Sequence, residues 1–465
     1  MNILVINTSL RPESLVKLFP IGLGYVVTAM KRAGFKFDLV DIDVYHYTDQ
    51  EMDKLIDKKQ YDVVCMGCIV TGYKIVKNLA KKIRRIHPEA TIVVGNSVAT
   101  SIPDILLTKT ESDIAIMGEG DIAIVELLHA LTNRTSLHAI AGICFIEQGQ
   151  VVRTTPRPAI KDISTLPFVD FSIFDIEHYI ENSKQQVNDP LPIPREQVRA
   201  LPINTARGCI AKCTFCYHVF KDAPYRYRSP QVIVNEIRDM IEKYQLNFIF
   251  FSDELTFFSK KQAFELVDAI LASGLKFYWT GTCRADLFDS EDDVYLIERM
   301  KQAGCIGMAY SLESSDADIL KSMNKHITIE QFSKQTELIQ MGGLPTWTSL
   351  VFGYPQETPE TIKKTIDCCI DNKIYPSAGY LLPQPGSYMY EYAMEKKFIV
   401  DEEKYLLQLG DRQDLRINLT TMTDDVFQEN IIQAMKWCNE SLHVGLAEDK
   451  LIKTQYYRVA EKDEE

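Results

Sequence analysis

Over the first 150 residues, short apolar runs alternate with longer stretches in which apolar residues recur every three or four positions. The runs at 3–7, 37–41, 62–66, 91–94, 114–117 and 142–147 are rich in Val and Ile and too short for helices, whereas 22–33, 75–86 and 122–131 carry the helical repeat. Strand and helix in turn predict an α/β fold with a doubly wound parallel sheet. Such sheets take their ligands beyond the carboxyl ends of the strands. There the chain places Asn7-Thr8-Ser9, Cys68-Ile69-Val70-Thr71-Gly72, Gly95-Asn96-Ser97 and Gly118-Glu119-Gly120-Asp121. Asn7, Ser9, Thr71, Gly95, Ser97, Gly118, Glu119 and Gly120 are therefore the candidate contacts of a bound cofactor.

From 153 to 200 the pattern changes. Pro156, Pro158, Pro167, Pro190, Pro192 and Pro194 interrupt any helix, only 174–181 has helical promise, and the segment reads as a linker. From Leu201 the alternation resumes, with strands expected at 248–251, 277–279, 308–310, 348–352 and 378–382. Counting the unit at the start, six βα units predict a partial barrel whose site lies at the carboxyl ends of its strands. Beyond Tyr390, Tyr, Met, Leu and Trp fall at helical spacing, as over 426–437, before the charged run Glu461-Lys462-Asp463-Glu464-Glu465, expected to fray. The expected division is a Rossmann-like sheet at 1–150, a linker at 151–200, a barrel at 201–387 and a small helical domain at 388–465.

Composition narrows the partners. At 465 residues and 46% hydrophobic, the chain has ample core for several domains. A net charge of −13 argues against a nucleic-acid groove, although 51 Lys and Arg leave room for a local basic patch. Eleven cysteines in so long a chain fit a reduced compartment. The start lacks the basic residues and cleavage site of a signal peptide. No apolar run approaches the roughly 18 residues of a membrane span, so a cytoplasmic protein with no membrane partner is expected.

The clearest chemistry lies in Cys209-Ile210-Ala211-Lys212-Cys213-Thr214-Phe215-Cys216. Three thiolates on one tight loop suit three irons of a 4Fe-4S cube and leave the fourth iron open to a substrate or cofactor. Structural zinc takes four ligands, usually in two separated pairs. No second pair follows at that spacing, and His218 is only a nominal fourth ligand. Cys209, Cys213 and Cys216 are the candidate metal ligands, with Gly208 letting the backbone approach closely.

Asn204-Thr205-Ala206-Arg207-Gly208 runs straight into Cys209, and Phe215 precedes the third cysteine; the segment resembles the radical S-adenosylmethionine (SAM) superfamily. The resemblance implies that the open iron holds the amino and carboxylate groups of SAM. It also implies reductive cleavage to methionine and a deoxyadenosyl radical, with Phe215 near the adenine. Along the barrel it puts Asp253 and Glu254 against the SAM amino group. Glu313 falls in a Glu-Ser-Ser segment near the ribose, with ribose hydroxyls or Arg284 as partners for its carboxylate. Gly353 and Glu357 match a Gly-x-Pro-x-Glu-Thr turn, where Thr358 before Pro359 is equally a helix cap. A small-molecule substrate and a reductant such as flavodoxin or ferredoxin are the implied partners. No catalytic residue beyond these is legible.

The first sheet is similar to the cobalamin-binding domain that precedes the radical module in one subfamily, on Pro20-Ile21-Gly22-Leu23-Gly24-Tyr25, Val93-Val94-Gly95 and Gly118-Glu119-Gly120-Asp121. Asn96 and Val98 depart from a glycine and a histidine that many relatives carry. An Asp-x-His-x-x-Gly motif is absent and His46 does not supply one, so the resemblance implies cobalamin with no protein histidine on cobalt. The alternative is a nucleotide-binding-like scaffold without its cofactor. Cys65 and Cys68 form a Cys-x-x-Cys pair on and just past an apolar strand, which favours buried packing over redox or metal chemistry. Asp41-Ile42-Asp43 reads as a solvated strand end.

Together the modules imply a radical SAM enzyme that acts on an unactivated atom of a small molecule, by cobalamin-dependent methyl transfer. A cyclase or oxidoreductase built on the same modules, and a non-catalytic corrinoid- or cluster-binding protein, stay open as alternatives. A tRNA methylthiotransferase is disfavoured, because Cys65, Cys68 and Cys144 are poorly placed for a second cluster and the acidic helical C-terminus does not suit RNA.

Overall fold

The computed structural model describes residues 1–11, 14, 16–45, 47–187, 189–410 and 413–452. His46 and the 461–465 run lie outside them. The N-terminal strands β1 (Ile3–Asn7), β2 (Phe37–Asp41), β3 (Val63–Gly67), β4 (Thr91–Gly95) and β5 (Ile114–Ile116) are parallel and lie in the order 2-1-3-4-5. Every residue of β1 is buried, because both faces carry helices. The order reverses between β1 and β3, so the loops that follow them part and leave a crevice. The expected helices are present as Ile21–Arg32, Tyr73–Ile86 and Gly120–Asn133. Asp49–Ile56, closed by a capping box between Thr48 and Glu51, adds to them.

One edge differs from the expected parallel sheet. β6 (Ile143–Glu147) and β7 (Gln150–Arg153) form a hairpin antiparallel to β5. After the helix Gly120–Asn133 the chain climbs back along the sheet edge, and the Met117 N–H donates to the Gly142 carbonyl at 2.8 Å. β6 therefore starts at the carboxyl end of β5 and must run the other way. Asp41 is a second correction. It is buried rather than solvated, accepting from Asn7 Nδ2 (2.8 Å) and from the Tyr179 hydroxyl (2.7 Å) of the linker helix Ile176–Ser183, and burial raises its carboxyl above the usual range.

The second sheet is parallel too, with β8 (Ala200–Ile203), β11 (Phe248–Phe251), β12 (Tyr278–Thr282), β13 (Cys305–Ala309) and β14 (Thr346–Trp347) as successive neighbours. Between β8 and β11 lies a short antiparallel ribbon of β9 (Ala206–Arg207) and β10 (Arg226–Tyr227). The barrel wall breaks at Thr348, whose hydroxyl accepts from the Leu312 N–H at 3.0 Å, and resumes as the parallel pair β15 (Ser349–Phe352) and β16 (Ser377–Tyr380). A single bridge between Glu313 and Leu350 spans the break. The C-terminal helices lean on both halves. Phe427 of Asp424–Ser441 stacks edge-on to Tyr380 with centroids 5.7 Å apart, while Glu403 of Glu402–Gln408 accepts from the Tyr73 hydroxyl at 3.0 Å and pairs with Lys77.

Candidate active site

The cysteine loop springs directly from the β9–β10 ribbon. Gly208 turns the chain into Cys209 at φ +88°, a left-handed value that favours glycine. Neighbouring elements clamp the loop from three sides. Asp253 accepts from the Thr205 N–H (2.8 Å), the Thr205 hydroxyl (2.5 Å) and the Ala206 N–H (3.0 Å), and Glu254 accepts from the Gly208 N–H (3.1 Å). The Thr214 hydroxyl donates to the Ser322 carbonyl (2.8 Å) and, its proton so committed, accepts from the Tyr354 hydroxyl (2.7 Å). Asn324 Nδ2 donates to the Lys212 carbonyl (2.9 Å). Asp253 and Glu254 were expected to reach the SAM amino group; in the structure they brace the segment before Cys209. Burial, with the charge of Glu254 beside it, pushes Asp253 up to about 6 against the lowering effect of these bonds.

Glu313 stands over this loop and is 4% exposed. Its φ of +66° is a strained left-handed value, held because its N–H donates to the Ser349 carbonyl and its own carbonyl accepts from the Val351 N–H, both at 3.0 Å. Its expected partner Arg284 is engaged elsewhere, on Asp286 and on the carbonyls of Lys325 and His326. Lys325 instead donates to Glu313 Oε1 at 3.1 Å, and Glu313 Oε2 is buried with no hydrogen-bond donor. The spacing of twelve residues carried no signal for Lys325. It is delivered by a turn in which Asn324 and His326 both take positive φ, with Arg284 holding the turn's carbonyls. The Cys213 thiol is raised by burial, lowered by Lys325 and raised again by Glu313, so this pair lies in the field of the cysteines. A buried carboxylate oxygen without a donor fits a ligand that brings hydroxyl or ammonium groups of its own.

Three thiols on this loop are free, and Phe215 packs partly buried against the core beside them. Among the described residues no three His, Cys, Asp or Glu side chains converge on one point as the ligands of a single ion would. In a cube each thiolate takes its own iron. His218 Nδ1 is buried without a partner, and burial with Lys212 and Lys221 nearby pushes the imidazole down to about 4, so it is neutral. Beside Ile210 a cavity of about 270 Å³ opens between Phe257, Phe258, Lys260 and Arg284. Gly353 takes φ +115°, a value that favours glycine, and a Cβ there would press on the Phe427 ring at 3.3 Å. Glu357 accepts from the Gly353 N–H (3.3 Å) and the Thr361 hydroxyl (2.5 Å), and Thr358 caps the helix Pro359–Asp371. Its carboxylate thus closes the Gly353 turn.

The polar ends of the first sheet knit into one rim. The Thr8 hydroxyl donates to the Gly67 carbonyl (2.8 Å), the Val70 N–H donates to Ser97 Oγ (2.8 Å), and the Gly118 N–H donates to Thr100 Oγ1 (3.0 Å). Thr71 is buried in the same rim, and Ser9 donates to Asp43 at 2.5 Å. Nothing lies within 4 Å of where a Cβ would stand on Gly95 or Gly118, so the backbone there is bare, as a close-fitting planar cofactor requires. Cys65 and Cys68 are buried, and burial pushes Cys65 up to about 12, in keeping with packing. Two rim candidates are used internally. Asn7 donates to Asp41 and to the Tyr179 hydroxyl (3.0 Å). The Glu119 carboxylate is held by Arg207, Arg226 and the Ile160 N–H, which join the rim to the cysteine ribbon.

Comparison with known proteins follows the same division. A B12 binding domain model matches residues 12–128, and a Radical SAM superfamily model matches residues 203–369. An uncharacterized methyltransferase of Pyrococcus horikoshii is 25% identical over 387 residues, covering 82% of this chain and 80% of that one. The anaerobic magnesium-protoporphyrin IX monomethyl ester cyclase of Rubrivivax gelatinosus is 26% identical over 397 residues, covering 83% and 68%. Among solved structures, the radical S-adenosylmethionine methyltransferase TsrM of Kitasatospora setae, with cobalamin and a 4Fe-4S cluster bound, shares the fold at a TM-score of 0.65 and 19% identity, over 86% of this chain and 75% of that one. With a corrin-type sheet and a three-cysteine barrel matched in this order, the chain belongs to the cobalamin-binding radical SAM enzymes.

Proposed function

We propose that the protein methylates an unactivated atom of a small molecule, using SAM, a 4Fe-4S cluster and cobalamin. The observation that carries this reading is the joint between its two candidate sites: the 118–121 turn of the glycine-lined rim is bonded to Arg207, two residues before Cys209. When bound, the cluster with SAM supplies a deoxyadenosyl radical, and cobalamin supplies a methyl group. The chain's part is to hold and aim them. Cys209, Cys213 and Cys216 would each take one iron. Glu313 would accept the ribose hydroxyls of SAM on its open Oε2, while Lys325 holds its other oxygen. Phe215 would lie along the adenine, and Asp253, Glu254 and Glu357 would act through the loops they brace. Gly95 and Gly118, with Ser9, Thr71, Ser97 and Gly120 beside them, would let the corrin edge approach the rim. Electrons would come from a reductant such as flavodoxin or ferredoxin in a reduced cytoplasm. No helix among the described residues is long and apolar enough to cross a membrane.

The similarity to the Rubrivivax cyclase favours a second reading, in which the same modules serve ring closure. Methyl-labelled SAM separates the two. Anaerobic enzyme reconstituted with iron, sulfide and hydroxocobalamin, then reduced, should move the label onto the corrin and release S-adenosylhomocysteine. Deoxyadenosine release with no label on the corrin would overturn methyl transfer in favour of the cyclase.

A further inference from the structure

The two domains meet through a buried cluster of four charges. Arg207 donates to Glu119 Oε1 (2.8 Å) and, through both terminal nitrogens, to the two oxygens of Asp121 (3.0 Å each). Arg226 Nη1 donates to both oxygens of Glu119 (3.0 Å each) and to the Ile160 carbonyl (2.8 Å), and the Ile160 N–H returns a bond to Glu119 Oε2 (2.6 Å). The four side chains are 6–9% exposed. Both guanidinium groups also lie over the Phe220 ring, at 5.6 and 5.8 Å. Three separate stretches of chain, the rim turn, the linker and the cysteine ribbon, thus converge on one carboxylate.

Stability alone does not account for this arrangement. Two cations and two anions buried together give up their hydration, and apolar side chains of the same volume would be about as stable. What the charges add is direction, because the fork of Arg207 on Asp121 fixes both distance and angle, and Arg226 pins Glu119 through one nitrogen shared with the Ile160 carbonyl. The direction runs between the two candidate sites. On one side Gly118, at φ +72°, presents bare backbone to the rim while its neighbours Glu119 and Asp121 reach into the cluster. On the other, Arg207 lies two residues before Cys209 and Phe220 four after Cys216, so the cluster grips the cysteine loop at both ends.

We infer that Glu119, Asp121, Arg207 and Arg226 are positioning residues that set the spacing between the corrin and the iron–sulfur cluster. The inference rests on the reading that both cofactors bind this chain. Their hydrogen bonds run to one another and to neighbouring backbone, and among the described residues to no cysteine, so they act through the two loops they tie.

The test uses full-length Glu119→Gln and Arg226→Gln, singly and together, with Arg226→Lys as a variant that keeps the charge and loses the planar guanidinium, whose Nε also donates to the Pro224 carbonyl at 3.2 Å. Hydrogen exchange on the chain as purified needs no cofactor. Each single variant should speed exchange by about tenfold in both 118–121 and 206–227, leave β1 and β3 unchanged, and be no worse when combined. If each variant loosens only its own side, or the double variant shows the product of the two effects, the link is overturned. In the reconstituted enzyme, pulsed electron paramagnetic resonance reads the distance from cob(II)alamin to the reduced cluster. Wild type should give one narrow distance, and the glutamine variants a shifted or broadened one at unchanged iron content, with Arg226→Lys between them. Variants that lose thermal stability yet keep the wild-type distance would reduce the cluster to ordinary packing. Absence of corrinoid from the wild type would remove the proposed methyl transfer, and the exchange data would still decide whether the two loops are coupled.

Discussion

Glu357→Gln should make the protein more stable at neutral pH and no more stable in acid. Glu357 is 1% exposed, and its carboxyl has only the Gly353 N–H and the Thr361 hydroxyl as partners, with no cation paired to it among the described residues. Burial raises it from an ordinary 4.5 to about 7. An acid raised on folding binds its proton more tightly in the native state, so its stabilising contribution is complete below 4.5 and is lost as pH rises through about 7. At about 1.4 kcal/mol per pH unit between those values, the ionised carboxylate costs the folded state about 3 kcal/mol above neutrality, an upper figure because water can enter. Glutamine avoids the charge and keeps the geometry: its oxygen accepts from Gly353, its amide donates to Thr361, and the Thr361 hydroxyl turns its proton to the Thr358 carbonyl 3.0 Å away. Thermal unfolding of the anaerobic apo-protein from pH 4.5 to 8 is the assay. The variant should match wild type at the acid end and exceed it by roughly 5–10 °C at the alkaline end, for a cooperative unit of barrel size. A difference that is flat with pH, or one that grows in acid, would refute the assignment of a neutral buried Glu357 below pH 7.

Changing Cys209, Cys213 and Cys216 together to Ala should abolish iron binding and SAM cleavage; a triple variant that keeps about four irons per chain counts against the loop as the cluster site. Lys325→Met should destabilise the protein by about 3 kcal/mol by stranding Glu313, and adding Glu313→Gln should restore most of that, so additive losses in denaturant titrations would break the pairing. Glu313→Gln alone should weaken SAM binding by about five- to tenfold at unchanged iron content, the worth of roughly one hydrogen bond, and unchanged affinity would remove the ribose from Glu313. Cob(II)alamin bound to the protein should show no hyperfine splitting from an axial protein nitrogen in electron paramagnetic resonance; such splitting would put a histidine on cobalt.

Features carried by adjacent residues were legible in the sequence. The cysteine spacing, the glycine-bearing strand ends and the Thr358 cap all lie within a few positions of one another, and the structure builds each where its local chemistry demands. What depended on distant partners was not. Glu313 meets Lys325 only because two left-handed residues fold the 324–326 turn back onto it. Glu119 sits on the rim by sequence, yet its partner Arg207 lies 88 residues away and draws its carboxylate between the domains. Asp253, Glu254 and Glu357 are acids at strand ends, which reads as ligand contact, but backbone N–H groups at the same ends compete for them. Asp41 looked solvated because Tyr179, which covers it, belongs to a linker whose prolines hid where its one helix would dock. The direction of β6 turned on a connection with no periodicity of its own.

The absorption spectrum of protein reconstituted anaerobically with iron, sulfide and hydroxocobalamin, then freed of unbound cofactor by gel filtration, tests the central claim most directly. About one corrinoid and about four irons should travel with each chain. Iron without corrinoid would leave a radical SAM enzyme with an idle first sheet, and neither cofactor would contradict the account outright.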